Sequence, residues 1–246
     1  MLAERVGVSK SDSWIDLTLL EDCMREHLND IAPRRIAVLD PVKLVIENYP
    51  PGEEESCEAP NHPQKPDWGK RPVPLSRELW IEREDFTETP AKGYFRLFPG
   101  NKVRLRYGYV VECTGCDKDA GGSVTAVRCT YLPDTRSGTP GADAVKVKGN
   151  IHWVSARHAY AAEIRLYDRL FKSPHPGAGD RDFLQDLNPD SKRVITAYLE
   201  EALKGAQPEE RFQFERHGYF VADRIDSKPG APVFNRAVTL RDSWHK

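Results

Sequence analysis

Apolar residues recur with two different rhythms along this 246-residue chain. Over TLLEDCMREHL (18–28) they fall three and four residues apart, which lines one face of an α-helix, and Thr18 with Glu21 makes a capping-box pattern that predicts the helix start. The run from Asn29 to Pro33 predicts its end. Beyond Pro33 the rhythm shortens. VKLVIENY (42–49), ELWIER (78–83), KVRLRYGYVVEC (102–113), SVTAVRCTYL (123–132), NIHWVSA (150–156), EIRLYDRLF (163–171), RFQFERHGYFVAD (211–223) and PVFNRAVTLRD (232–242) predict strands. KDAGG (118–122), TRSGTPGAD (135–143), PHPGAGD (174–180) and SKPGAP (227–232) separate them with turn chemistry.

Many short strands with such turns and little helix predict a mainly β protein built from antiparallel barrels or sandwiches. No fixed-period repeat is visible. Residues 50–76, with Glu53, Glu54 and Glu55 followed by Pro60, Pro63, Pro66, Pro72 and Pro74, read as a long surface connection. NPDSKRVITAYLEEALKG (188–205) is open between a helix and a strand at Arg193 to Ala197.

The hydrophobic fraction of 39% allows a buried core, and the length corresponds to one or two domains. No run of about 20 apolar residues exists, and the start MLAERVGVSK has no apolar h-region, so a cytoplasmic protein without a membrane span is expected. Five scattered cysteines read as reduced thiols rather than a disulfide framework. A net charge of −2 opposes indiscriminate nucleic-acid binding and leaves room for a local basic surface.

Several residues are of chemically active types. Cys113, Cys116 and Cys129 supply three soft ligands, but a structural zinc site takes four, so they read as hairpin thiols with zinc as the alternative. VSKS (8–11) resembles the end of the ATP-gripping Lys-Met-Ser-Lys-Ser loop of class I aminoacyl-tRNA synthetases, yet Gly7 replaces the first lysine and no phosphate loop accompanies it. His152 and His158 titrate near neutrality as a residue type, but Ile151, Trp153 and Val154 make the run around them a core strand. Arg104 and Arg106, two apart, are expected to project from one strand face, and Gln213, Glu215 and Arg216 to gather at one edge. Mixed donors and acceptors suit the edges of unpaired bases, where phosphate binding alone needs only positive charge; the competing reading is a solvated charged face.

APRRIAVLDPVKLVIENYP (32–50), APNHPQKP (59–66), ELWIEREDF (78–86), KVRLRYGYVV (102–111), KVKGNIHWVSARHA (146–159), EIRLYDRLF (163–171), FQFERHGYF (212–220) and PVFNRAVTLRDSW (232–244) together resemble the C-terminal half of glutaminyl-tRNA synthetases, in order along nearly the whole chain. The resemblance implies two antiparallel β-barrels that bind a tRNA anticodon, with the ATP- and glutamine-binding domain upstream. It implies a helical connector remnant at 1–30, a proximal barrel from 31–88 and 176–246, and a distal barrel from 89–175.

By the same resemblance Arg34, Gln213 and Arg216 would read the middle anticodon base, with Glu215 orienting the arginines; Arg96 would hold the third base, and Arg104 and Arg106 the first base and its flanking phosphate. Asn29, Gln64 and Arg241 would support the tRNA. Gly93 and Phe95 stand where the family commonly carries polar residues, Gln64 replaces an asparagine, and Phe95 has a face on which a base can stack. The expected partner is glutamine tRNA, with no DNA or membrane partner and a monomeric state. The chain is expected to hold no catalytic residue, metal or cofactor of its own, ATP and magnesium serving the upstream domain. The barrel half of a glutamyl-tRNA synthetase is the near alternative; a zinc-dependent β-barrel enzyme and a protein-interaction barrel are the distant ones.

Overall fold

In the computed structural model, residues 2–7 and 15–241 are described; the VSKS motif lies outside them. Helix α1 is Leu2–Val6, and α2 is Leu17–Ile31. The predicted start of α2 shifts: Asp16, not Thr18, is the N-cap, and its carboxylate accepts the Thr18 N–H at 2.8 Å. Two seven-stranded, nearly closed barrel-like sheets make the rest mainly β.

The chain divides into two compact units, residues 34–162 with 197–204 (the barrel unit) and 1–33 with 163–196 and 205–246 (the helix unit). These seams do not coincide with the expected division at 88/89 and 175/176. The reason is pairing: β3 and β6, from the stretch expected in one barrel, hydrogen-bond in one sheet with strands expected in the other.

The barrel unit contains β1 (Arg34–Arg35), β2 (Ala37–Val38), β3 (Pro41–Ile46), β4 (Glu55–Pro60), β5 (Lys70–Leu75), β6 (Glu78–Glu82), β7 (Lys102–Leu105), β8 (Val110–Lys118), β9 (Val124–Leu132), β10 (Gly149–Ile151) and β11 (Trp153–Ser155). Its main sheet runs β10-β7-β8-β9-β3-β6-β11. The two edge strands are consecutive in the chain, separated by His152 alone, so the sheet returns on itself. It is not purely antiparallel: β3 lies parallel to β9, and β10 parallel to β7. The core follows the period-2 pattern, with Val42, Leu44 and Ile46 of β3 inward against Leu79, Ile81, Val103, Val111, Val127 and Trp153.

Residues 50–76 are not a bare connection. They hold the ribbon of β4 and β5, whose Cys57, Ala59, Val73 and Leu75 enter the same core. The prolines hid it, because proline is excluded only where a strand must donate on both sides; Pro72 and Pro74 sit on a two-stranded ribbon opposite Glu58 and Ser56.

β12 (Tyr160–Tyr167) leads into the helix unit, which holds most of β13 (Lys192–Leu199) with β14 (Arg211–Phe214), β15 (Gly218–Ala222) and β16 (Phe234–Thr239). The open 188–205 segment is therefore a strand, followed by a single 3-10 turn at Glu201–Leu203. Phe214 stacks on Phe220 with ring centroids 4.2 Å apart and meets Phe234 edge-on at 5.3 Å. Leu28 and Ala32 of the α2 end pack on Tyr219 and Val238.

Candidate nucleic-acid interface

Arg34 opens the barrel unit and is buried. Its backbone is fixed by a charged cage. The Arg34 N–H donates to the Asn61 carbonyl at 2.7 Å, while Arg35 Nη1 donates to the Arg34 carbonyl at 2.8 Å and to Asn61 Oδ1 at 2.9 Å. Glu200 accepts from Arg71 Nε at 2.6 Å, from Arg71 Nη2 at 2.9 Å and from the Ile36 N–H at 2.9 Å, and lies 3.5 Å from Arg35 Nε. Arg71 Nη1 also donates to the Pro60 carbonyl at 2.9 Å. A planar fork matched to a carboxylate in this way fixes orientation as well as charge. Arg71 and Glu200 were missed in the sequence. The signal was present for Arg71: it shares the inward face of β5 with Val73 and Leu75, where an unpaired charge is not tolerated.

Arg96 lies in the loop before β7. Its Nη1 contacts Asp85 Oδ1 at 2.6 Å and Glu84 Oε1 at 2.9 Å, and Asp85 is fully buried. Burial opposes the guanidinium charge, but the Glu84 hydrogen bond and both carboxylates outweigh it and raise its pKa further. Arg96 is thus an anchored cation with part of its side chain facing solvent.

Arg104 and Arg106 do not share a strand face. β7 ends at Leu105, so Arg106 lies in the following turn, next to Tyr107 at φ 66°. Arg104 turns toward the 133–144 loop, where its guanidinium donates to the carbonyls of Thr135 at 2.7 Å, Gly108 at 3.3 Å and Ala142, and to Ser137 Oγ at 3.4 Å. Arg106 is held by its backbone at the sheet closure: its N–H donates to the Ile151 carbonyl at 2.9 Å, and its carbonyl accepts Trp153 Nε1 at 2.9 Å. Its guanidinium lies 5.2 Å from the Tyr107 ring centroid. Gln64 is exposed, and its N–H donates to Nδ1 of buried His62 at 3.1 Å.

In the helix unit, Gln213 and Asn29 come together through Tyr219, another residue missed from the sequence. Gln213 Nε2 donates to Tyr219 Oη at 2.8 Å, and that hydroxyl donates to Asn29 Oδ1 at 3.3 Å. The signal here is register, since Gln213 and Tyr219 are cross-strand partners on β14 and β15. Glu215 and Arg216 are not on a strand edge. They lie in the three-residue turn between Phe214 and Gly218, and Arg216 adopts φ 71°. A left-handed arginine costs roughly 1–2 kcal/mol, and such strain persists only where surroundings enforce it. The turn closes tightly at Gly218, where a Cβ would lie 2.4 Å from the Val238 carbonyl. Arg241 is exposed, and its carbonyl accepts Thr239 Oγ1 at 2.6 Å.

The reactive side chains have other occupations. His152 is fully buried at the sheet closure, with Nε2 3.3 Å from Glu82 Oε1. His158 Nε2 lies 3.0 Å from exposed-edge Glu54. Cys113 and Cys129 face each other across β8 and β9, both buried, whereas Cys116 pairs in register with Val127. Cys113 Sγ donates to the Gly115 carbonyl at 3.7 Å; the neighbouring Cys129 thiol pushes the Cys113 thiol down, and Cys113 together with burial pushes the Cys129 thiol up.

Two family models match, both described as tRNA synthetases class I (E and Q), anti-codon binding domain, over residues 32–132 and 150–223. Among curated relatives the chain is 70% identical over 246 residues to a glutamine–tRNA ligase of Ralstonia nicotianae, covering all of this chain and 42% of the relative. It is 68% identical to that of Cupriavidus metallidurans, with the same coverage, and 60% identical to that of Nitrosomonas europaea, covering 44% of it. The chain therefore spans less than half the length of these relatives. Matched along most of its length by models with one description, the chain belongs to the anticodon-binding domain family of the class I E and Q tRNA synthetases.

Proposed function

We propose that this chain binds the opened anticodon loop of glutamine tRNA and supplies specificity, while the ATP- and magnesium-dependent attachment of glutamine is carried out by the rest of the longer enzyme. The observation that carries the reading is the cage around Arg34, a buried arginine whose backbone is locked by Asn61 and Arg35 beside the Arg71–Glu200 fork. Family membership gives that arrangement its ligand class, and the names of the relatives favour glutamine over glutamate tRNA.

Splaying anticodon bases costs stacking energy, which charge-assisted hydrogen bonds recover only for matching bases. Arg34, Gln213 and Arg216 would address the middle base, with Glu215 setting the arginines. Arg96 would present its free edge to the third base, whose acceptors suit a guanidinium when it is guanine. Arg106 would meet the first base, and Arg104 would act on it through the loop it holds. Asn29, Gln64 and Arg241 would support the tRNA backbone. The chain would work as a cytoplasmic monomer without a cofactor or metal of its own; among the described residues no helix is long and apolar enough to cross a membrane.

Binding to the glutamine anticodon stem-loop, measured against mismatched and glutamate loops over a salt series, tests this. Cognate binding should exceed mismatched binding at every salt, and Arg34→Ala should weaken it by about 1–3 kcal/mol with altered middle-base preference. Equal affinity for all loops, or an Arg34→Ala chain that binds like the parent, would refute the reading.

A further inference from the structure

Phe95 is half exposed, beside Arg96, on a segment that is rigidly held. Tyr94 Oη donates to the Glu84 carbonyl at 3.0 Å, Asn101 Nδ2 donates to the Arg96 carbonyl at 2.6 Å, and the Leu97 N–H donates to the Asp85 carbonyl at 2.9 Å. From the other side, Gly149 packs so closely that a Cβ there would lie 2.0 Å from the Phe95 carbonyl and 2.7 Å from Val103 Cγ1. That contact puts the preceding residue, Lys148, over the ring: its Nζ lies 4.9 Å from the Phe95 centroid.

A scattered exposed aromatic needs no explanation. This one differs in three respects. Its backbone is fixed on both sides, a cation sits against its ring, and the next side chain is the arginine proposed to hold a base. An aromatic face flanked by lysine and arginine is what an unstacked nucleotide requires: a π-surface for the base, and positive charge for the phosphate.

We propose that Phe95, clamped by Lys148, is a stacking platform for an unpaired base of the anticodon loop, adjacent to the base at Arg96. This rests on the anticodon-binding reading above and adds a contact to it. Phe95 would contribute affinity that any base can use, because every base has a π-face, and Arg96 would contribute discrimination. Lys148 would serve the neighbouring phosphate.

The test uses the full chain and the glutamine anticodon stem-loop, intact or with an abasic nucleotide at one position of the loop at a time. Phe95→Ala should weaken intact-loop binding by roughly 5- to 150-fold without changing the salt dependence. That loss should disappear for the loop that is abasic at the stacked position. Phe95→Trp should bind like the parent, with its emission quenched by the intact loop and not by that abasic one. Lys148→Ala should lower the slope of log affinity against log salt by about 0.7. If the parent binds the cognate loop and Phe95→Ala binds it equally well, or loses the same factor on every abasic loop, the platform is wrong and the anticodon reading stands. If the parent shows no preference among loops, the anticodon reading fails and the platform fails with it.

Discussion

The barrel unit is expected to depend on Glu200. Its carboxylate accepts three hydrogen bonds, two from Arg71 and one from the Ile36 N–H. Glu200→Ala would take both carboxylate hydrogen bonds from Arg71, itself 6% exposed, leave its Nη1 on the Pro60 carbonyl, and strand a buried N–H. Breaking a buried ion pair by removing one partner costs about 3–5 kcal/mol, and the orphaned amide overlaps that figure rather than adding to it. For a urea slope of about 2 kcal/mol/M the unfolding midpoint should fall by roughly 1.5–2.5 M. The assay has a local reporter: Trp80 stacks on Tyr198, two residues before Glu200, with centroids 4.5 Å apart and planes 1° apart. Replacing both partners by apolar residues of similar volume, as in an Arg71→Met/Glu200→Leu chain, should cost much less than Glu200→Ala, because no charge is left buried alone. A midpoint shift under about 0.5 M for Glu200→Ala, or a double variant at least as unstable, would show that the fork does not hold this region.

Two further outcomes follow from the geometry. Arg104→Gln should release the 133–144 loop, so that trypsin cuts after Arg136 several-fold faster in the native chain, at a stability cost of about 1.5–3 kcal/mol for a lost charged hydrogen bond; weaker stem-loop binding with unchanged cleavage would instead assign Arg104 a direct contact. Asp223 accepts the N–H groups of Asp226 and Ile225 at 2.8 Å each and Asn235 Nδ2 at 2.6 Å, with Arg165 beside it, and these hold its pKa at about 2. An unfolded aspartate titrates near about 3.9. The folded pKa is the lower one, so this stabilisation is fully present above pH 4 and is lost as pH falls through 2. Thermal melts of Asn235→Ala should therefore lie below the parent at pH 5 and converge on it toward pH 2; a gap independent of pH would exclude the linkage.

How much of this was legible in the sequence depends on which interaction fixed each element. The period-2 runs of β3 and β6 were readable because burial alone decides them: one face enters the core, and no distant partner changes that. β5 was not readable. Its prolines argue against a strand unless the pairing partner is known, and β4 is a tertiary fact. β13 was ambiguous because its pairing with β2, Tyr198 beside Val38 and Leu199 beside Ala37, overrides a local preference for helix. The continuous run 102–113 concealed a turn for a related reason. Tyr107 and Tyr109 are of strand-favouring type, and the reversal is seen in the turn hydrogen bonds, Gly108 N–H to the Leu105 carbonyl and Leu105 N–H to the Tyr109 carbonyl, each at 2.8 Å.

The candidate site shows the same division more sharply, since sequence identifies charge but not its occupation. Of the arginines expected to read bases, Arg104 is engaged with loop carbonyls and Arg96 neutralises a buried aspartate. Each can present only what its internal partners leave. That is a constraint with a use: a guanidinium already held by protein loses less freedom on meeting a ligand, so on the proposed reading part of its ordering would be complete before tRNA bound. At Arg34 it is the backbone that the cage fixes, while Arg35 and Arg71 carry the cage's charge. On the proposed reading, discrimination among anticodon loops should accordingly be as sensitive to these inward arginines as to the ones proposed to touch the bases.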